Sequence, residues 1–215
     1  MNVAAPKASN ETASDATCWR CRAGVGAEAA ACPACGVVQP PRALDHFARL
    51  GLPRGFALDK ATLERRYFDL QRRFHPDRFA GRPAEERALA LRHATALNEA
   101  YDHLKSPLRR AVYLLGLLDP AYKRDESETE KDPALLLDAL ERREALEETT
   151  DAGTVDRLVA AARRDIDAAL GRIDRAFAEM RLRDADRETA RFKYLAKFVE
   201  DARDRRRRLS QGSST

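Results

Sequence analysis

The chain has 215 residues, of which 44% are hydrophobic, enough apolar side chains for one or two folded cores. Its 39 Lys and Arg residues against 35 Asp and Glu give a formal net charge of +4 with both signs interspersed, which argues against an obligate polyanion binder. No apolar run approaches the roughly 18–20 residues that span a bilayer, and residues 1–17 resemble neither a secretion signal nor a mitochondrial leader, so we expect a bacterial cytoplasmic protein without a membrane partner.

The N-terminal region divides into a leader and a cysteine module. Residues 1–17 are rich in Ala, Ser, Thr and Asn without apolar periodicity, which predicts a flexible leader. The predicted module, residues 18–40, contains all four cysteines as two CxxC pairs: Cys18, Cys21, Cys32 and Cys35. Two such pairs are typical of one tetrahedral metal site, with zinc the expected ion and iron possible, whereas two redox dithiols are the alternative. What else the module binds stays open, and a purely structural role is equally consistent with the sequence.

Helical periodicity begins near Leu44 and is strong at 58–74, 84–104 and 107–118. The first of these segments has one apolar stripe, made of Leu63, Tyr67, Leu70 and Phe74. The second has a complementary stripe, made of Ala90, Ala94, Leu97, Tyr101 and Leu104. The two stripes predict an antiparallel hairpin with His75-Pro76-Asp77 at its tip.

Pro76 should end the first helix of the hairpin, because a proline biases the preceding residue away from helical geometry. Both polar side chains of the tripeptide would then be displayed. Four arginines project from the exposed side of the same helix: Arg65, Arg66, Arg72 and Arg73. They could attract an acidic partner surface. The alternative is that these residues have no partner role: His75 is an ordinary turn residue, Asp77 caps a helix, and the arginines form a solvated helix face.

A polar, mostly acidic linker at 119–131 separates the hairpin region from a second helical domain, predicted at 132–209. Asp132-Pro133 is a helix start signal, and residues 151–154 should break that helix. A long helix is predicted from Val155 to about Leu182, followed by a last helix capped by Asp184. The periodicity predicts a three-helix bundle.

Two helices of this bundle carry more apolar groups than one core stripe can use. Leu136 and Leu140 lie about 100° from the stripe of their helix. On the last helix, Tyr194 points nearly opposite the stripe and Phe198 lies beyond its edge. An exposed patch for a partner and burial of each helix on two sides are equally consistent with this pattern.

Several motifs together resemble one family. They are residues 44–53, Phe56-x-Leu58-Asp59, His75-Pro76-Asp77, Leu97-Asn98-Glu99-Ala100-Tyr101 and residues 107–115. Over about residues 44–205 the chain resembles the HscB-type J-domain co-chaperones of iron–sulfur cluster assembly. The resemblance implies an all-α fold, with a J domain at 43–118 and a C-terminal three-helix scaffold-binding domain, and N-terminal zinc modules occur in longer members of this family.

The resemblance also implies roles for the site residues. His75, Pro76 and Asp77, with the four arginines and Arg78, would contact an HscA-type, DnaK-like chaperone and promote its ATP hydrolysis. The catalytic groups would belong to the chaperone, so this chain is not expected to be an enzyme. An IscU-like iron–sulfur scaffold protein would bind at residues of the second domain: Leu136, Leu140 and Tyr194, with Glu141, Glu144 and Phe198 beside them.

Two functions from other classes are the alternatives. A nucleic-acid-binding zinc ribbon with a helical body would use the cysteines and Arg205–Arg208, but the module has few basic or stacking side chains, so no nucleic-acid partner is expected. An enzyme would recruit His75 and Asp77 together with other histidines. His46, His93 and His103 form no familiar catalytic spacing with them, and these three are predicted to be ordinary helix-surface or edge residues.

Overall fold

The computed structural model of the chain describes residues 16–26, 29–122 and 132–212. Within them lie two strands, β1 (Ala16–Thr17) and β2 (Gly24–Val25), and seven α-helices. The helices are α1 (His46–Arg49), α2 (Lys60–Phe74), α3 (Ala84–Lys105), α4 (Pro107–Leu118), α5 (Pro133–Glu148), α6 (Ala152–Ala178) and α7 (Leu182–Gly212). The expected all-α class is confirmed, with one small antiparallel β-hairpin in the cysteine module.

The N-terminal boundary differs from the prediction. Ala16 pairs with Val25 and Thr17 pairs with Gly24, so two residues of the predicted leader form a strand with the cysteine module. The rest of the predicted leader, residues 1–15, lies outside the described residues, as does most of the predicted linker, residues 123–131.

The start signal at Asp132-Pro133 is confirmed, whereas α6 begins at Ala152, inside the segment predicted to break the helix, and not at Val155. Asp132 caps α5, accepting the N–H of Ala134 at 3.0 Å, and Pro133 occupies the first turn, where a missing N–H costs no hydrogen bond. Asp151 caps α6, accepting the N–H of Thr154 at 2.8 Å. These short polar side chains satisfy amides that the first helical turn leaves without partners.

The boundary between α6 and α7 lies earlier than predicted. Helix α6 ends at Ala178 because Met180 adopts a left-handed conformation with φ 54°. The N–H of Arg181 then donates to the carbonyl of Ala176 at 2.8 Å, and that of Met180 to Phe177 at 3.1 Å, a Schellman-type stop. The usual sequence signal for this stop is glycine, and its absence here explains the error.

The described residues form two compact units, and the first combines residues 16–26, 29–51 and 64–101. It holds the cysteine module, α1 and most of α2 and α3. The predicted hairpin is present within it: the Tyr67 and Tyr101 rings stack at 4.1 Å, and the Tyr67 hydroxyl donates to Asn98 at 2.9 Å. Phe74, Ala90, Ala94 and Leu97 are buried.

The second unit combines residues 52–63, 102–122 and 132–212. Helices α4, α5 and α6 all pack against α7. One part of its core contains Leu146, Val155, Val159, Ala162, Phe198, Val199 and Ala202. The prediction that Phe198 lies beyond the core stripe is therefore wrong: its ring is 8% exposed. The boundary between the two units passes through α2 and α3, and α4 belongs to the second unit. The predicted domain bounds 43–118 and 132–209 stay a prediction.

Among the described residues, no helix combines the length and the apolar character needed to cross a bilayer.

Candidate metal centre, HPD turn and apolar groove

Each cysteine pair lies on a tight backbone turn of the same kind. In the first turn the N–H of Arg22 donates to the carbonyl of Cys18 at 3.0 Å, and in the second the N–H of Gly36 donates to that of Cys32 at 2.9 Å. The residue after the second cysteine has a positive φ in both turns, 63° at Arg22 and 71° at Gly36. Glycine adopts this conformation freely, whereas for arginine it costs about 1–2 kcal/mol. The surrounding contacts must therefore hold the first turn closed.

The two turns bring the four Sγ atoms within 4.8 Å of one another. The sulfurs of Cys18 and Cys35 are 3.7 Å apart, and those of Cys21 and Cys32 are 3.6 Å apart. Tetrahedral sulfurs about 2.3 Å from a central ion lie about 3.8 Å from one another, whereas a disulfide requires about 2.05 Å. The arrangement fits one four-coordinate metal ion held by all four predicted ligands.

The thiols of this cluster differ in their tendency to ionise. Burial disfavours the Cys18 thiolate, but the N–H groups of Cys21 and Arg20, which donate to its sulfur, outweigh burial and lower its pKa to about 6. At Cys35 the N–H of Val37 favours the thiolate, but burial and the neighbouring thiols prevail and raise its pKa to about 12. Four thiolates so close together need a cation to balance their charge, which is the chemistry of a metal-binding set.

The tripeptide at the hairpin tip forms an exposed turn, which we call the HPD turn (residues 75–83). Helix α2 ends at Phe74, and His75 has φ −59° and ψ 133°, so the prediction that Pro76 ends the helix is confirmed. Pro76–Phe79 form a single 3₁₀ turn. The His75 and Asp77 side chains are 56% and 89% exposed. Both are displayed to solvent, as expected.

The polar groups of the HPD turn are oriented by each other. The Asp77 N–H donates to His75 Nδ1 at 3.3 Å, and the Asp77 carboxylate lies 3.4 Å from the same nitrogen. Because Nδ1 accepts a hydrogen bond, the neutral ring carries its proton on Nε2. The turn therefore presents one N–H donor and one carboxylate to a partner in a restrained geometry.

The predicted basic face is also exposed. Five arginine side chains of α2 and the HPD turn are open to solvent: Arg65, Arg66, Arg72, Arg73 and Arg78. Arg72 is ion-paired with Asp69 on the same helix. The positive charge next to the tripeptide is thus reduced at one position, and the face remains cationic.

A groove of about 800 Å³ lies between α5 and α7 in the second unit. It brings together Leu136, Leu140 and Tyr194, three of the four surplus apolar positions identified in the sequence. Leu136 is 39% exposed and Leu140 is 51% exposed, so neither leucine is buried in the core. Of the two interpretations that the periodicity left open, the structure supports the exposed patch.

The remaining predicted residues of this surface lie in other environments. Phe198 lines the groove from the core below it, while Glu141 and Glu144 are exposed on α5 without lining the groove. The rest of the wall combines further apolar side chains, among them Leu135 and Leu195, with charged ones such as Arg143, which pairs with Glu147 at 2.8 Å. Leu137 is 56% exposed on the same helix but lies outside the lining.

One histidine differs from its prediction. His93 is only 8% exposed, so its assignment as a surface or edge residue is wrong, whereas His46 and His103 are partly exposed. Its Nε2 donates to the backbone carbonyl of Gln39 at 2.8 Å, and its ring stacks on Phe74 at 4.3 Å. No sequence signal identifies it, because Gln39 lies 54 residues away.

The buried state of His93 predicts a pH dependence of stability. Burial lowers the pKa of its imidazole, with Arg49 and Arg92 acting in the same direction, against the opposing hydrogen bond to Gln39. As pH falls below about 6.5, the His93 imidazole becomes protonated in the unfolded chain while it stays neutral in the folded chain. The free energy of unfolding therefore decreases. Urea unfolding followed by Trp19 fluorescence should show the wild type losing more stability than His93→Gln between pH 7.5 and 5.5. Equal losses in the two proteins would contradict this assignment.

The arginine run near the C-terminus is largely used within the second unit. Arg205 donates to the carbonyl of Thr149 at 2.9 Å, Arg206 pairs with Asp156 at 2.6 Å, and Arg207 pairs with Asp204 at 2.5 Å. Cations occupied in this way offer little to a phosphate backbone. The structure therefore gives no support to the nucleic-acid-binding alternative.

Comparisons with known proteins agree with this geometry. Residues 131–203 match the family model described as the HscB C-terminal oligomerisation domain. The co-chaperone protein HscB of Proteus mirabilis (strain HI4320) is 34% identical over 179 residues, covering 79% of this chain and 99% of that protein. The crystal structure of human co-chaperone protein HscB superposes with a TM-score of 0.80 at 27% identity, covering 87% of this chain and 97% of the human chain. Chaperone HscB from Vibrio cholerae gives a TM-score of 0.67 at 29% identity, covering 77% and 99%.

Proposed function

The chain belongs to the HscB family of co-chaperones, and from this premise we propose that it stimulates ATP hydrolysis by an HscA-type, DnaK-like chaperone. We further propose that it delivers an IscU-type iron–sulfur scaffold protein to that chaperone and so promotes iron–sulfur cluster assembly and transfer. The observation that carries this proposal is the exposed HPD turn, in which His75 and Asp77 are oriented side by side at the tip of a packed hairpin.

The role proposed for the HPD turn is allosteric. A restrained turn loses little conformational entropy when it docks, so its few polar contacts can be used to favour one state of the chaperone. The exposed arginines beside it would steer an acidic chaperone surface onto the turn. The groups that hydrolyse ATP would belong to the chaperone, and this chain would act without catalytic residues of its own.

The role proposed for the apolar groove is to hold the scaffold protein. Leu136 and Leu140 supply exposed apolar anchors on α5, and Tyr194 adds a partly buried ring from α7. Tyrosine combines apolar area with a hydroxyl that can hydrogen-bond across an interface. Glu141 and Glu144 would form part of a polar rim around these anchors.

We propose zinc as the ion of the cysteine module. A closed set of four thiolates without an open position is the usual ligand set of structural zinc. When bound, zinc would supply folding energy to a segment that has few apolar side chains to bury, with Cys18, Cys21, Cys32 and Cys35 as its ligands.

A single-turnover assay tests the proposed function. ATP hydrolysis by the organism's HscA-type chaperone is measured with its IscU-type scaffold, in the presence and absence of the metal-loaded chain. We expect acceleration by this chain that weakens as salt is raised, because the arginine face contributes through charge. A rate unchanged by folded, metal-loaded protein at low salt would overturn the proposal.

A further inference from the structure

The cysteine module and the HPD turn lie in the same compact unit, and a short path of buried groups joins them. The path begins at Gln39, whose buried side-chain amide donates to Cys18 Sγ at 3.3 Å and to the carbonyl of Val37 at 3.0 Å. One of the four sulfur ligands thus fixes the orientation of Gln39. When bound, a metal ion would hold this sulfur in place, and with it the side-chain amide of Gln39.

The path continues from the backbone of Gln39 to the last residue of α2. The Gln39 carbonyl accepts the Nε2–H of His93 at 2.8 Å. The His93 ring lies nearly parallel to that of Phe74, with 4.3 Å between ring centroids and 8° between planes. Phe74 directly precedes His75. A displacement of Gln39 would therefore change the packing of the residue from which the HPD turn departs.

A second contact ties the module to the other end of the HPD turn. Arg20, between the first two cysteines, donates to the carboxylate of Glu86 at 3.4 Å. Glu86 lies in the first turn of α3, and its side chain is only 4% exposed. The cysteine module thus contacts the start of α3 directly at Glu86 and is linked to the end of α2 through His93.

From these contacts we propose that the cysteine module braces the HPD turn, with Gln39 and His93 as the positioning residues that join them, so that metal loading keeps the turn ordered. If the function proposed above holds, loss of the metal lowers stimulation of the chaperone and leaves the groove between α5 and α7 unaffected. Besides being a folded extension of the chain, the module would then control how well the HPD turn stimulates the chaperone.

Hydrogen–deuterium exchange of the full chain tests the brace without any partner. Removing the metal from the wild type with a chelator should accelerate exchange of the amides at 77–82 about tenfold, because local opening becomes easier. His93→Phe keeps an aromatic ring against Phe74 but cannot donate to Gln39. In the metal-loaded state it should already show the faster exchange, with the metal content and Trp19 fluorescence of the wild type.

The decisive comparison is the response of the variants to chelation. His93→Phe should show little further acceleration, since the path is already broken, whereas His93→Gln, which retains an N–H donor, should keep part of the response. His103→Phe is the matched control, because His103 lies in the other unit beside Tyr113, and it should respond like the wild type. Exchange within α6 should not change in any of these proteins, which distinguishes a brace from general destabilisation.

Two outcomes would overturn the brace. In the first, the exchange rate at 77–82 does not change when the chelator is added, and in the second, chelation accelerates exchange in His93→Phe as strongly as in the wild type. The ATPase assay separates this result from the proposed function. If exchange couples to the metal but no loaded protein accelerates hydrolysis, the brace stands and the chaperone role fails. Equal acceleration by metal-loaded and metal-free protein would contradict the control role.

Discussion

Replacing His75 with glutamine is expected to return the single-turnover rate of the chaperone to its unstimulated value, with scaffold binding unchanged. The His75 ring accepts the Asp77 N–H through Nδ1, which leaves the Nε2 proton for a partner. Glutamine has both a donor and an acceptor, but its flexible chain does not hold them in the ring's fixed geometry. The loss should be in stimulation alone, because the side chain is 56% exposed and supports no core contact.

The comparison for this variant is His103→Gln, which makes the same chemical change in the second unit. It should stimulate like the wild type. Circular dichroism and metal content establish that both variants are folded and loaded. If His75→Gln stimulated normally, the HPD turn would not be the chaperone contact, and if the folded variant also lost scaffold binding, the separation of the two roles would be wrong.

The double change Leu136→Ala and Leu140→Ala is expected to have the reverse effect. Removing two exposed anchors from the groove should cost at least about 2 kcal/mol of binding, roughly a 30-fold increase in the scaffold Kd. Stimulation of the chaperone in the absence of scaffold should remain. Isothermal titration with the scaffold and the single-turnover assay measure the two activities separately.

Leu137→Ala provides the matched control for the groove. Leu137 is on the same helix and 56% exposed, but it does not line the groove, so its replacement should leave the scaffold Kd unchanged. Exposed substitutions of this kind typically alter the free energy of unfolding by no more than about 0.5 kcal/mol, so all three leucine changes should give stable proteins. Equal losses of binding from Leu137→Ala and from the double variant would show that α5 contributes general hydrophobicity and no specific site.

The features predicted correctly from the sequence are those that neighbouring residues determine. Pro76 ends α2 by its effect on His75, and Asp132 caps α5 through amides two or three residues away. The two CxxC turns likewise form within five residues each. Such contacts need no knowledge of the rest of the fold, since the interacting groups are tethered close together.

The errors arise where distant residues or an atypical backbone decide the outcome. Phe198 lies at the edge of its helical stripe, and only the packing of α5 and α6 against α7 buries it. Met180 stops α6 in a conformation that sequence patterns assign to glycine. His93 has a polar side chain with no local partner, and its burial depends on Gln39 and Phe74.

The sequence by itself determined the helices, the HPD turn, the four candidate metal ligands and the apolar surplus on α5 and α7, because periodicity and spacing are local properties of the chain. Only the tertiary structure decided that Leu136, Leu140 and Tyr194 line one groove, and that the cysteine module contacts α3 at Glu86 and His93. These contacts join residues that are 50 or more positions apart in the sequence, so they depend on which faces pack together in the fold. Periodicity shows that a face is apolar, and only packing shows what covers it.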